Sequence, residues 1–110
     1  LDSTSYVSIK DITLHAAGES VYSRLMVIHN ASKSIEIQSC QFIGFDHNSF
    51  CPSGDCLEGE SIFISTVDGD SIQNISIVDN FFKYNSTAVY VAGYDDYLCS
   101  GLFIDDNICT

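Results

Sequence analysis

The chain has no tryptophan, a single proline (Pro52) and only four basic residues in 110 positions. No apolar run approaches the roughly eighteen residues of a membrane-crossing helix, so membrane insertion is not expected. Four Lys or Arg stand against fifteen Asp or Glu, for a formal net charge of −11. Such a chain repels phosphate backbones, which sets nucleic-acid binding aside. The acidity reads first as solubility and only second as cation binding. No CxxC pair occurs, and His15, His29 and His47 do not fall beside the cysteines at zinc-ligand spacing. No cofactor is expected, with Ca2+ held by carboxylates kept as the one alternative. No secretory leader is present, and an opening at Leu1 rather than Met reads as that of a processed or excised piece.

What is present points to one folded domain over residues 1–110. Apolar residues make up 45% of the chain and are mostly Ile, Val, Phe and Tyr, the types that suit a pleated surface. Five cysteines in so short a chain imply an oxidising compartment, hence an extracellular or cell-surface location. Cys51 and Cys56 flank the short loop CPSGDC and are expected to close a local disulfide. The pairing of Cys40, Cys99 and Cys109 stays open, and the odd count leaves one thiol over.

An internal repeat sets the architecture. Four segments align without gaps: Val7 to Leu14, Ile35 to Phe42, Ile75 to Phe82 and Leu102 to Cys109. Their starts lie 28, 40 and 27 residues apart, so the middle interval carries an insertion, roughly Asp46 to Glu60. The first and third positions are aliphatic in all four. A second strand recurs between them as Leu25-Met26-Val27, Ile62-Phe63-Ile64 and Val89-Tyr90-Val91. Alternation with a period of two turns Leu25, Val27, Ile62, Ile64, Val89 and Val91 inward. It leaves Met26, Phe63 and Tyr90 as an outward apolar row, a candidate interface for a protein neighbour or a stacked sugar. A period near 27 residues with short strands and polar corners predicts an all-β, right-handed parallel β-helix of about four coils. The sixth position reads Ile12, Cys40, Asn80, Asn107, and the two asparagines are expected to stack as a hydrogen-bonded amide ladder.

The run from Ile75 to Val91, Ile-Ser-Ile-Val-Asp-Asn-Phe-Phe-Lys-Tyr-Asn-Ser-Thr-Ala-Val-Tyr-Val, resembles a coil of the pectate-lyase-like right-handed β-helix superfamily. Phe82-Lys-Tyr-Asn85 also resembles the Phe-x-x-Asn repeats of chlamydial polymorphic membrane proteins. The likeness covers nearly the whole chain, implies the fold and carries no function with it. Enzymes of that superfamily use carboxylates, sometimes with Ca2+, together with a basic residue. Asp11, Asp79 and Asp106 share the fifth repeat position, with Ser39 interrupting the row. Carboxylates one coil apart, about 5 Å, match a retaining glycosidase's separation, yet Asp before Asn at a bend is ordinary turn chemistry. The Asp-Asp, Gly-His-Gly and Arg-Ile-Lys motifs of polygalacturonases have no complete counterpart, so no catalytic residue is assigned.

The insertion holds Asp46, His47, Asp55, Glu58 and Glu60 and is read as a disulfide-pinned surface loop. Val67-Asp68-Gly69-Asp70 lacks the later ligands of a Ca2+ loop and reads as a corner. Three N-glycosylation sequons occur at Asn30, Asn74 and Asn85. The resulting functional expectation is an extracellular structural or adhesive module, with possible roles in a filament or surface fibre. It self-associates end to end through bare terminal coils, with glycans as further possible partners. The alternative is a fragment of a carbohydrate-active enzyme (polysaccharide lyase or glycoside hydrolase) or of a phage tailspike.

Overall fold

The computed structural model describes residues 1–16, 24–30, 32–44, 60–66, 71–84, 87–93 and 99–110. Residues 45–59 lie outside this set, and with them Asp46, His47, Cys51, Cys56, Asp55 and Glu58, as do residues 67–70 and Asn85.

Eleven strands and no helix are formed by the described residues: β1 (Ser5–Lys10), β2 (Thr13–His15), β3 (Met26–His29), β4 (Lys33–Gln38), β5 (Gln41–Ile43), β6 (Glu60–Ser65), β7 (Ile72–Val78), β8 (Phe81–Lys83), β9 (Thr87–Ala92), β10 (Cys99–Asp105) and β11 (Ile108–Cys109). They assemble into three sheets, ordered β1-β4-β7-β10, β2-β5-β8-β11 and β3-β6-β9. Every pairing is parallel. Each sheet takes one strand from each successive repeat, an all-β arrangement compatible with a β-solenoid. The four aligned segments therefore do stack: Val7, Ile35, Ile75 and Leu102 are in register, as are Ile9, Ile37, Ile77 and Ile104.

The core lies between the three sheets. Ile28, Ile35, Ile37, Phe42, Ile62, Ile64, Ile72, Ile75, Ile77 and Phe82 are all buried in one cluster. Burial of this kind contributes about 25 cal/mol per Å2 of apolar surface removed from water. The eighth-position rings of Phe42 and Phe82 stack with centroids 5.0 Å apart and planes 11° apart, which adds about 0.5–1.5 kcal/mol beyond their burial.

One register differs from expectation. In the third sheet Met26 pairs with Ile62, Val27 with Phe63 and Ile28 with Ile64. Met26 thus packs with the core residues and the outward row is Val27, Phe63 and Tyr90. The segment Leu25-Met26-Val27-Ile28 is apolar at four consecutive positions, so either phase of the alternation satisfies it. A slip of one residue exchanges the two faces, and full burial of Ile28 selects the observed phase.

Two left-handed rows recur through the repeats. At the bend between the first and second sheets, Asp11, Ser39, Asp79 and Asp106 have φ of 57°, 55°, 56° and 51°. Left-handed geometry belongs to this fifth position and not to the asparagines that follow it. Asp tolerates it better than most residues because its short polar side chain can bond locally; at the last bend the backbone N–H of the left-handed Asp106 is held by the side chain of the preceding residue, donating to Asp105 Oδ1 at 3.0 Å. The second row, Tyr6, Ser34, Asn74 and Gly101, has φ of 60°, 56°, 56° and 65° and interrupts the residue pairing within the strands of the first sheet just before each inward aliphatic.

Gly101 is the one glycine of that row. A Cβ placed there would lie 2.6 Å from Asn74 Oδ1 and 3.3 Å from the Asn74 backbone nitrogen. Gly101→Ala is expected to destabilise the chain by about 1–2 kcal/mol through left-handed strain and that contact. Gly101→Asn keeps the backbone preference and isolates the contact. Urea midpoints followed by circular dichroism measure both, and an unchanged midpoint for the alanine variant would show that Asn74 swings clear.

Candidate functional site

A buried amide ladder links the bends of the second, third and fourth repeats. Asn80, 2% exposed, accepts the backbone N–H of Cys40 on its Oδ1 at 2.9 Å. Its Nδ2 donates to the Ile37 carbonyl at 3.0 Å and to Asn107 Oδ1 at 3.1 Å. Asn107 repeats the pattern one repeat on: its Oδ1 accepts the Asn80 backbone N–H at 2.9 Å and its Nδ2 donates to the Ile77 carbonyl at 2.9 Å. Each carboxamide thus matches the backbone of the preceding bend. In the second repeat Cys40 takes the position, and its thiol donates to the Gln38 carbonyl at 3.3 Å. In the first repeat it is Ile12. Cys40 is buried and Cys109 exposed, both as free thiols.

The outer face of the third sheet carries an aromatic column. Phe63 and Tyr90 stack with centroids 5.6 Å apart and planes 7° apart, and the Arg24 guanidinium lies 3.6 Å from the Phe63 ring centroid. Such a contact contributes about 0.5–1 kcal/mol at an exposed site. Sequence reasoning did not anticipate Arg24. It precedes β3, and its reach across to a ring on the next repeat is diagonal, whereas a period-two pattern registers only residues directly opposite.

Among the described residues, the acidic side chains form no metal-holding cluster. Asp11, Asp79 and Asp106 occupy one row of bends, all exposed, and Asp79 accepts a bond from Gln38 Nε2 at 3.4 Å. No group of three or more His, Cys, Asp or Glu that could hold a metal ion occurs among the described residues. Lys10 pairs with Glu36 at 2.7 Å on the exposed face of the first sheet. No helix of the described residues is long and apolar enough to cross a membrane.

Of the sequons, Asn74 is exposed on the left-handed row. Asn30 is half-buried, and its Nδ2 donates to Asp2 Oδ1 at 2.9 Å. That bond, with a second from the Ser3 hydroxyl, holds the exposed Asp2 carboxyl below its ordinary pKa. Asn85 lies outside the described residues.

Among the described residues, β1 pairs only with β4 and β10 only with β7. Ile104 and Ile108 are 47% and 60% exposed, although their register partners Ile77 and Phe81 are buried or half-buried. Comparison with known proteins finds no protein family, no curated protein and no solved structure that matches this chain.

Proposed function

We propose that the chain is a right-handed parallel β-helix of the pectate-lyase-like kind, serving as an extracellular structural or adhesive module that extends by stacking repeats end to end. The observation that carries the reading is the in-register parallel stacking of like residues through the four repeats. Leu102 and Ile104 continue the inward rows of the interior, yet Ile104 is 47% exposed. At the other end Val7 and Ile9 hold the same two rows. A second copy's first repeat can therefore set Val7 on Leu102 and Ile9 on Ile104, pairing β10 with β1 in the parallel sense found throughout. Such a head-to-tail contact propagates into a filament unless it closes into a ring. The extracellular assignment rests on the cysteine content and the three sequons.

A second reading, a fragment of a carbohydrate-active enzyme or tailspike, draws on the row of Asp79 and Asp106 and on the aromatic column at Phe63 and Tyr90, which suits sugar stacking.

Sedimentation velocity across a concentration series, with electron microscopy of the most concentrated samples, tests the first reading. Growing species and fibres are expected, and Ile104→Asp is expected to stay folded and lose the association, since a charge at that half-open position remains hydrated. A monodisperse monomer at the highest soluble concentration would remove end-to-end stacking and favour the second reading.

A further inference from the structure

Two of the sequons, equivalent in sequence, are placed differently by the fold. At the first, the groups that define the sequon are already engaged. Asn30 Nδ2 donates to Asp2 Oδ1 at 2.9 Å, a charge-assisted bond. The Ser32 hydroxyl is fully buried, donates to the His29 carbonyl at 2.8 Å and receives the Thr4 N–H at 3.2 Å. At the second, the asparagine faces water. Asn74 is exposed, and no described residue bonds its carboxamide. Ile75 between the two sequon residues is buried at 0% exposure, so Ser76 turns outward, in register with Glu36 and Phe103. The neighbours of Asn74 in the left-handed row are Ser34 and Gly101, one strand away on either side at about 4.8 Å. Neither is bulky. A Cβ at position 101 would lie 2.6 Å from Asn74 Oδ1, so the glycine leaves the carboxamide its place.

We infer that Asn74 is the attachment site of an N-linked glycan on the outer face of the first sheet, and that the fold bars Asn30 from that role. The inference rests on the extracellular reading, since the transfer takes place in a secretory compartment. In that transfer Asn74 Nδ2 bonds to the anomeric carbon of an oligosaccharide carried on a lipid diphosphate. The anomeric C–O bond breaks, the lipid diphosphate leaves with its electron pair, and Nδ2 gives up one proton. The product is bulky and hydrophilic and needs a surface position. Asn74 meets that need whether transfer precedes or follows folding. At Asn30, transfer to the folded chain finds both amide and hydroxyl engaged. Transfer to the unfolded chain would set a sugar where Asp2 sits, and folding would then give up the Asn30–Asp2 bond. A glycan at Asn74 is compatible with end-to-end stacking, which joins strand edges and leaves the outer face of each sheet free.

Secretion of the full chain from a eukaryotic cell behind a cleavable leader tests this, with Asn85→Gln leaving two sequons. Digestion by peptide N-glycosidase in heavy-oxygen water converts each glycosylated asparagine to a heavy aspartate, which peptide mass spectrometry counts. Asn74 is expected to be occupied several-fold more often than Asn30 in the secreted chain, and Ser76→Ala is expected to remove that glycan. Trimming the glycan to its first sugar is expected to leave the urea midpoint unchanged, because the chain beyond that sugar touches nothing in the fold. Equal occupancy of the two asparagines, or occupancy of Asn30 alone, would overturn the assignment. A folded, secreted chain bare at both would also overturn it and leave the extracellular reading standing. A midpoint lowered by trimming would place the glycan against the fold and overturn its free attachment. A chain glycosylated at Asn74 yet retained in the cell would uphold the site and overturn the extracellular reading instead.

Discussion

Ile77→Asp is expected to abolish the folded state, read as loss of the strand signal in far-ultraviolet circular dichroism and of a cooperative urea transition. Ile77 is fully buried in the inward row between Ile37 and Ile104. Replacing it removes an aliphatic side chain, a loss of about 2–5 kcal/mol for buried truncations. It also places a carboxylate where no described cation reaches, which costs several kcal/mol more or forces the group to stay protonated. A domain of this size has a total stability of about 5–15 kcal/mol, so the two losses together exhaust most or all of it. Ile104 lies in the same row one repeat further on and is 47% exposed. Ile104→Asp is therefore the matched control and is expected to fold. A cooperative transition retained by Ile77→Asp would mean that this row does not face the interior.

Asn80→Leu is expected to destabilise the chain by about 3 kcal/mol or more, because the Cys40 N–H and the Ile37 carbonyl lose their partner in a buried site at about 1–3 kcal/mol each. The amide is 2% exposed, so no water takes its place without rearrangement. Asn107→Leu breaks the corresponding bonds to Asn80 and Ile77, yet Asn107 is half-buried and water can repair part of the damage. The expected order in urea midpoints is therefore Asn80→Leu well below Asn107→Leu, both below the unaltered chain. Asn80→Asp probes the donor half of the carboxamide, since a carboxylate can accept from Cys40 but cannot donate to Ile37. Equal midpoints for the Asn80 and Asn107 variants would show that burial does not set the strength of the ladder.

The sequence by itself determined the repeat, the two inward rows of the first sheet and the pairing of Asn80 with Asn107. These share a cause: stacking in register places like side chains on like, so the periodicity survives in one dimension. The aliphatics at the first and third positions recur in all four segments and admit one phase only. The phase of β3 was not legible, because four consecutive apolar residues carry no alternation, and burial of Ile28 decided it. Nor was the left-handed row legible, since Tyr6, Ser34, Asn74 and Gly101 share no side-chain chemistry, only a backbone angle. The bend was read correctly as a place for Asp and Asn, but the left-handed angle fell on the Asp position; the asparagine side chain turns inward to bond the neighbouring bend. The place of Arg24 over Phe63 and the bond from Asn30 to Asp2 depend on which repeats meet in space. Those are relations between strands distant in the chain, and only the tertiary structure holds them.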